Sequence, residues 1–113
     1  MTELIEKKSR FLSYAFRIEN EAEIESILDS LAKEHKRSRH FVYAYKIGDK
    51  EKCDDNGEPS GTAGLPTLEA IRRRNLDNIL VVTIRYYGGI LLGKGGLIRA
   101  YGKSAGRELD KYV

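Results

Sequence analysis

The stretch from Ile79 to Arg107, ILVVTIRYYGGILLGKGGLIRAYGKSAGR, restricts what this chain can become more than any other. Ile79–Ile84 holds no acid and no glycine and is rich in β-branched residues, the composition of a strand covered on both faces. Arg85, Tyr86 and Tyr87 follow, then Gly88 and Gly89, a short apolar bridge, and Gly93-Lys94-Gly95-Gly96. From Leu97 the spacing is helical: Leu97, Ile98, Tyr101 and Ala105 share one side, while Arg99, Lys103 and Arg107 lie largely elsewhere. The predicted order is buried strand, glycine-rich loop, helix.

That order sets backbone N–H groups and the positive end of a helix dipole beside glycines that let an anion or another backbone approach. Asn78–Arg107 carries five Lys or Arg and no Asp or Glu, against a net charge of +3 for the whole chain. Arg85, Tyr86, Tyr87, Gly88, Gly89, Gly93, Lys94, Gly95, Gly96, Arg99 and Lys103 are therefore the candidate anion- or nucleic-acid-binding residues. Adjacent strand residues face opposite ways, so at most one of Tyr86 and Tyr87 is expected to be free to stack on a base. A structural alternative stays open: the glycines serve tight helix packing and the basic side chains are a solvated face. Gly88, Gly93 and Lys94 match the GxxxxGK of a phosphate-binding loop, but Gly95 stands where Ser or Thr would hold magnesium.

At 113 residues the chain is expected to form one domain, 1–113, with a core of its own. No segment has the length of a membrane span and Met1–Arg10 lacks the apolar centre of a signal peptide. The single cysteine, Cys53, cannot close an internal disulfide, so a reducing, cytoplasmic setting is expected. No cofactor and no membrane partner are expected.

Leu12, Tyr14, Phe16 and Ile18 alternate with smaller or polar residues as in a half-buried strand, entered through Lys7-Lys8-Ser9-Arg10. Asn20 and Glu23 have capping-box spacing, and Ile24, Ile27, Leu28, Leu31 and His35 form the apolar stripe of a helix. His40 opens a second strand with Phe41, Tyr43, Tyr45 and Ile47 on one face and Val42 and Ala44 on the other; Glu51–Cys53 reads as a short returning strand. The segment Asp54–Gly64 is a loop by its turn residues. Its Asp54, Asp55, Glu58 and Ser60, with His40, make a possible polar site; the spacing is not that of a calcium loop and Pro59 interrupts it, so no metal is assigned. Leu65–Arg74 is a second helix with Pro66 in its first turn, and the last helix runs to about Asp110.

KKSRF at 7–11, DDNGEPSGTAGLP at 54–66 and VVTIRYYGGILLGKGGLIRAY at 81–101, in that order and spacing, resemble the IMPACT/YigZ family over nearly the whole chain from Lys7. The resemblance implies an α+β fold, a two-layer sandwich with helices on one face of a mixed sheet, similar to the second domain of ribosomal small-subunit protein five. It implies a cytosolic, translation-associated protein, mostly without established enzymatic activity. Bacterial members carry a ferredoxin-like domain after this one. Eukaryotic members carry an RWD domain before it and restrain the kinase that shuts down translation initiation under amino-acid starvation. Both partner domains are absent from residues 1–113. Where the family pattern places Cys or a similar small residue after the histidine of the second strand, this chain has Val42, so a Cys–His pair is not supported and no catalytic residue is assigned. The expectation is binding of RNA or the ribosome through the basic strand–loop–helix. Two alternatives stand: a metal- or phosphate-dependent enzyme using the acidic loop, and a module that contacts a translation-control protein.

Overall fold

The structure, a computed structural model, describes all of Met1–Val113. In order the chain forms β1 (Thr2–Glu6), β2 (Ser9–Arg17), α1 (Ala22–Glu34), β3 (His40–Ile47), β4 (Lys50–Asp54), α2 (Gly64–Arg73), β5 (Ile79–Tyr86) and α3 (Gly93–Leu109), closed by a 3-10 turn at Asp110–Tyr112. The acid-free run becomes β5, buried from Ile79 to Arg85 as its composition requires. It is the middle strand of a five-stranded sheet ordered β1-β2-β5-β3-β4.

The α+β expectation holds, with two differences of arrangement. Every hydrogen-bonded pair of strands is antiparallel rather than mixed. The chain passes from β2 through α1 to β3, and β5 is then inserted between them; it likewise passes from β4 through α2 to β5 across β3. Each helical crossover thus steps over one strand and leaves only antiparallel neighbours. The helices also cover both faces rather than one. Ile79 and Val81 pack with Leu68 and Ile71 of α2 and Ala105 and Leu109 of α3, whereas Leu80, Val82 and Ile84 pack with Ile24 and Leu31 of α1. Two-sided cover explains why β5 can be buried on both faces from Ile79 to Arg85. Burying each of Ile24 and Leu31 contributes about 1.5–3 kcal/mol to holding α1 on its face.

β1 has no counterpart in the predicted elements: Leu4 is its one buried residue, so an edge strand flanked by glutamates carries little apolar signal. α1 starts at Ala22 with no side-chain cap, but the Glu23 carboxylate does reach back to the Asn20 N–H at 3.1 Å. α3 starts at Gly93, four residues before its first buried apolar residue, because the glycine-rich segment is the helix's own first turn. A buried hydroxyl chain holds α3 to the sheet: Ser13 Oγ lies 2.7 Å from both Thr83 Oγ1 and Ser104 Oγ.

The β1–β2 hairpin turns through Lys7 and Lys8, at φ 45° and 68°. Positive φ at both central residues of a two-residue loop is the type I′ geometry. Gly88 fits against this turn: a Cβ there would lie 2.1 Å from the Lys8 carbonyl carbon and oxygen. Gly88→Ala should therefore cost about 1–3 kcal/mol through overpacking, read as a lower denaturant midpoint at unchanged m-value. A wild-type midpoint would show that the hairpin is free to move away from Gly88.

Candidate functional site

Alternation along β5 decides where its terminal side chains go. Arg85 follows Ile79, Val81 and Thr83 toward α3, and Tyr86 follows Leu80, Val82 and Ile84 toward α1. Arg85 is 5% exposed, and opposite it lies Glu58, 7% exposed, brought in by the loop between β4 and α2. Arg85 Nη1 donates to both Glu58 oxygens, at 2.8 and 3.0 Å. The Tyr101 hydroxyl of α3 donates to the same carboxylate at 2.5 Å, and His40 Nε2 lies 3.3 Å from it. Arg85 Nη2 donates to Ser9 Oγ, which also accepts from the Gly88 N–H, both at 3.3 Å. Burial, then the Glu58 carboxylate, pushes the Tyr101 hydroxyl far above the usual phenol range. Arg85 Nε is buried without a partner.

The rest of the acidic loop is also turned inward. One Asp55 oxygen accepts from the Ala63 and Gly64 N–H groups at 3.1 and 2.8 Å, and the other accepts from Gly61 at 3.0 Å. Burial raises that carboxyl, but the backbone donors outweigh it and hold it below the usual aspartate range. Asp54 accepts from the Asn56 N–H, and Asn56 in turn accepts from the Phe41 N–H through its side chain and sits 2.9 Å from His40 Nδ1 through its carbonyl. Ser60 is exposed on the loop. Asp54, Asp55 and Glu58 thus serve three separate sets of partners, and no three His, Cys, Asp or Glu side chains converge on one point.

A cleft of about 400 Å³ opens above the Arg85–Glu58 pair, between Gly57–Pro59 of the acidic loop and Leu91–Lys94 at the start of α3. The acidic and glycine-rich loops therefore meet. His40 and Tyr87 also line the cleft, as does Arg39, which sequence reasoning missed because nothing in its spacing ties it to the glycines. The Tyr87 ring lies beneath the Arg39 and Arg85 guanidinium groups, at 5.4 and 5.6 Å, so cations already occupy it. Tyr86 lies on the opposite face, with its hydroxyl 2.6 Å from His35 Nδ1 and Arg10 over its ring.

Gly93 to Gly96 present the first-turn N–H groups of a 17-residue helix that has no side-chain cap. Lys94 stands on that turn and makes no ion pair, and neither do Arg39 and Arg99. Lys103 has only Glu6, at 4.0 Å. Gly89 and Gly93, at φ 90° and 74°, supply the left-handed bends that swing the chain from β5 into α3. Cys53 lies on β4 opposite Ala44, four residues along β3 from His40, and burial pushes its thiol up. Val42, where a cysteine was the alternative, is fully buried core.

Removing one partner of the buried pair strands a charge. Glu58→Gln should lower unfolding free energy by about 3–5 kcal/mol, whereas Glu58→Leu with Arg85→Met and Tyr101→Phe should recover most of it. Equal losses for the single and triple variants in chemical denaturation would contradict a charge-pairing role.

Residues 7–109 match the family described as the Impact N-terminal domain. The chain is 44% identical over 111 residues to IMPACT family member YvyE of Bacillus subtilis (strain 168), covering 96% of this chain and 51% of that protein. It superposes on the crystal structure of a hypothetical protein with TM-score 0.91 at 35% identity, covering 97% of this chain and 57% of the other. The two-domain translational regulator Yih1 shares the fold, with TM-score 0.60 at 20% identity over 95% of this chain and 45% of its own. The chain spans about half the length of these relatives. With the motif stretches at 7–11, 54–66 and 81–101 all inside the matched region, the chain belongs to the IMPACT family.

Proposed function

We propose that this domain is a translation-associated binding module that holds RNA, free or within the ribosome, by its phosphates at the N-terminal end of α3. One observation carries the reading: the acids nearest the cleft are satisfied internally while the cations beside it are not. Glu58 is spent on Arg85 and Tyr101, and Asp55 on three backbone donors. Lys94 and Arg39 remain unpaired at the rim. At the cleft itself the one lining acid, Glu58, is paired with Arg85, so Arg39 and Lys94 set the charge of its rim although the loop sequence is acidic. First-turn amides of α3 and Lys94 suit one phosphate, and Arg99 one turn further extends the contact. The translation setting rests on family membership alone.

This reading favours binding over metal-assisted chemistry, because the acidic loop spends its carboxylates on the fold. Single-stranded RNA binding, followed by fluorescence anisotropy between 50 and 200 mM salt as in the usual range for such titrations, should weaken with rising salt. The slope of log K against log salt should shrink by about 0.7 for each cation removed as Lys94→Gln or Arg99→Gln, and the double reversal Lys94→Glu/Arg99→Glu should abolish binding. Salt-independent binding, or full affinity in the double reversal, would overturn the proposal. A partner captured equally well after nuclease treatment would assign the surface to a protein instead.

A further inference from the structure

Beside the cleft, and sharing Leu92 with it, lies a second hollow of about 220 Å³ between the β1–β2 turn and α3. Lys7 reaches it from the turn, and Arg99 and Lys103 reach it from the helix. Its only acid is Glu6, 4.0 Å from Lys103 Nζ, so three cations face one carboxylate. Lys7 and Arg99 make no ion pair of their own. Gly96 and Ala100 form a shallow floor that leaves room beside the helix backbone.

The turn that supplies Lys7 is chemically unexpected. At φ 45° and 68° its two positions suit Asn and Gly, and lysine is strained at both. The turn is also fixed: its Lys8 backbone is pressed on Gly88, and the neighbouring Ser9 Oγ holds the Gly88 N–H and Arg85. The lysines are thus carried on a rigid mount tied to the base of the cleft. On α3, nine residues separate Lys94 from Lys103, a rise of about 13 Å and about half a turn around the helix axis. One phosphate cannot reach both, whereas successive phosphates of a strand that crosses the helix from the cleft to the hollow can.

We propose that this hollow is a second phosphate subsite, in which Lys7, Arg99 and Lys103 hold another phosphodiester of the strand bound at the start of α3. It rests on the RNA reading above and adds the hairpin as the far wall of the track. Lysine at the left-handed position 7 is then kept for its charge, at the expense of turn stability.

The variant Lys7→Asn/Lys8→Gly separates the two effects, since it removes both charges and installs the residues the turn prefers. Its melting temperature should equal or exceed wild type by a few degrees. Its affinity for a fluorescein-labelled single-stranded RNA should fall several-fold, with the salt slope reduced by about 0.7 for the lost phosphate contact. Lys7→Gln, which keeps Lys8 in place, repeats the binding readout should the double variant melt lower. Unchanged RNA affinity in both hairpin variants, with Lys94→Gln weakened, would overturn the second subsite and leave the α3 site standing. Absence of salt-dependent RNA binding in the wild type would overturn the RNA reading itself. An equal loss of affinity for an acidic peptide of matched charge would assign the hollow to protein carboxylates and overturn the phosphate subsite.

Discussion

A carboxylate and a guanidinium, both nearly buried, neutralise each other beneath the first turns of α3. Glu58 comes from the loop after β4 and Arg85 from the last buried position of β5, and Tyr101 of α3 adds its hydroxyl to the same carboxylate. Three elements that are distant in sequence thus meet at one charge pair. In low dielectric neither charge is tolerated alone, so the pair fixes loop, strand and helix relative to one another. It also cancels one of the three acidic charges of that loop, the Glu58 carboxylate.

The glycines around it do several different things. Gly88 is required by sterics, because the hairpin backbone occupies the space of its side chain. Gly89 and Gly93 are required by backbone conformation, having positive φ with open space around them. Gly95 and Gly96 lie in the first turn of α3, where a Cβ would crowd Arg99 and Leu92 respectively. The packing explanation and the anion explanation for this segment are therefore divided among its members. Gly88 belongs to packing, while the first turn leaves its amides exposed to whatever enters the cleft.

Much of the fold was legible because burial and periodicity coincide. The acid-free run at 79–84 is the central strand, and Phe41, Tyr43, Tyr45 and Ile47 share a face as their alternation predicts. Antiparallel pairing was not legible, since apolarity on both faces is also the mark of a parallel sheet and strand order is set by nonlocal crossovers. β1 escaped notice because an edge strand with one buried residue resembles a charged tail. At the candidate site the acidic and glycine-rich segments were each legible as turn-rich stretches from their residues. The pairing of Arg85 with Glu58 was not visible, because 27 residues separate them and no local rule joins a loop glutamate to a strand arginine. Arg39 was likewise hidden, and Lys7 read only as part of the basic entry to a strand. Its placement beside α3 comes from the contact between the hairpin and Gly88, which only the folded chain reveals.

Amide chemical-shift mapping of the 15N-labelled domain during titration with single-stranded RNA tests most directly whether internal neutralisation leaves a positive, receptive face. Perturbations should centre on the Gly93–Gly96 amides and extend along α3 to Lys103 and across to Lys7, with the Arg85 side-chain Nε–H shifting as the cleft fills. Shifts confined to the opposite face around His35 and Tyr86, with the start of α3 silent, would contradict that picture.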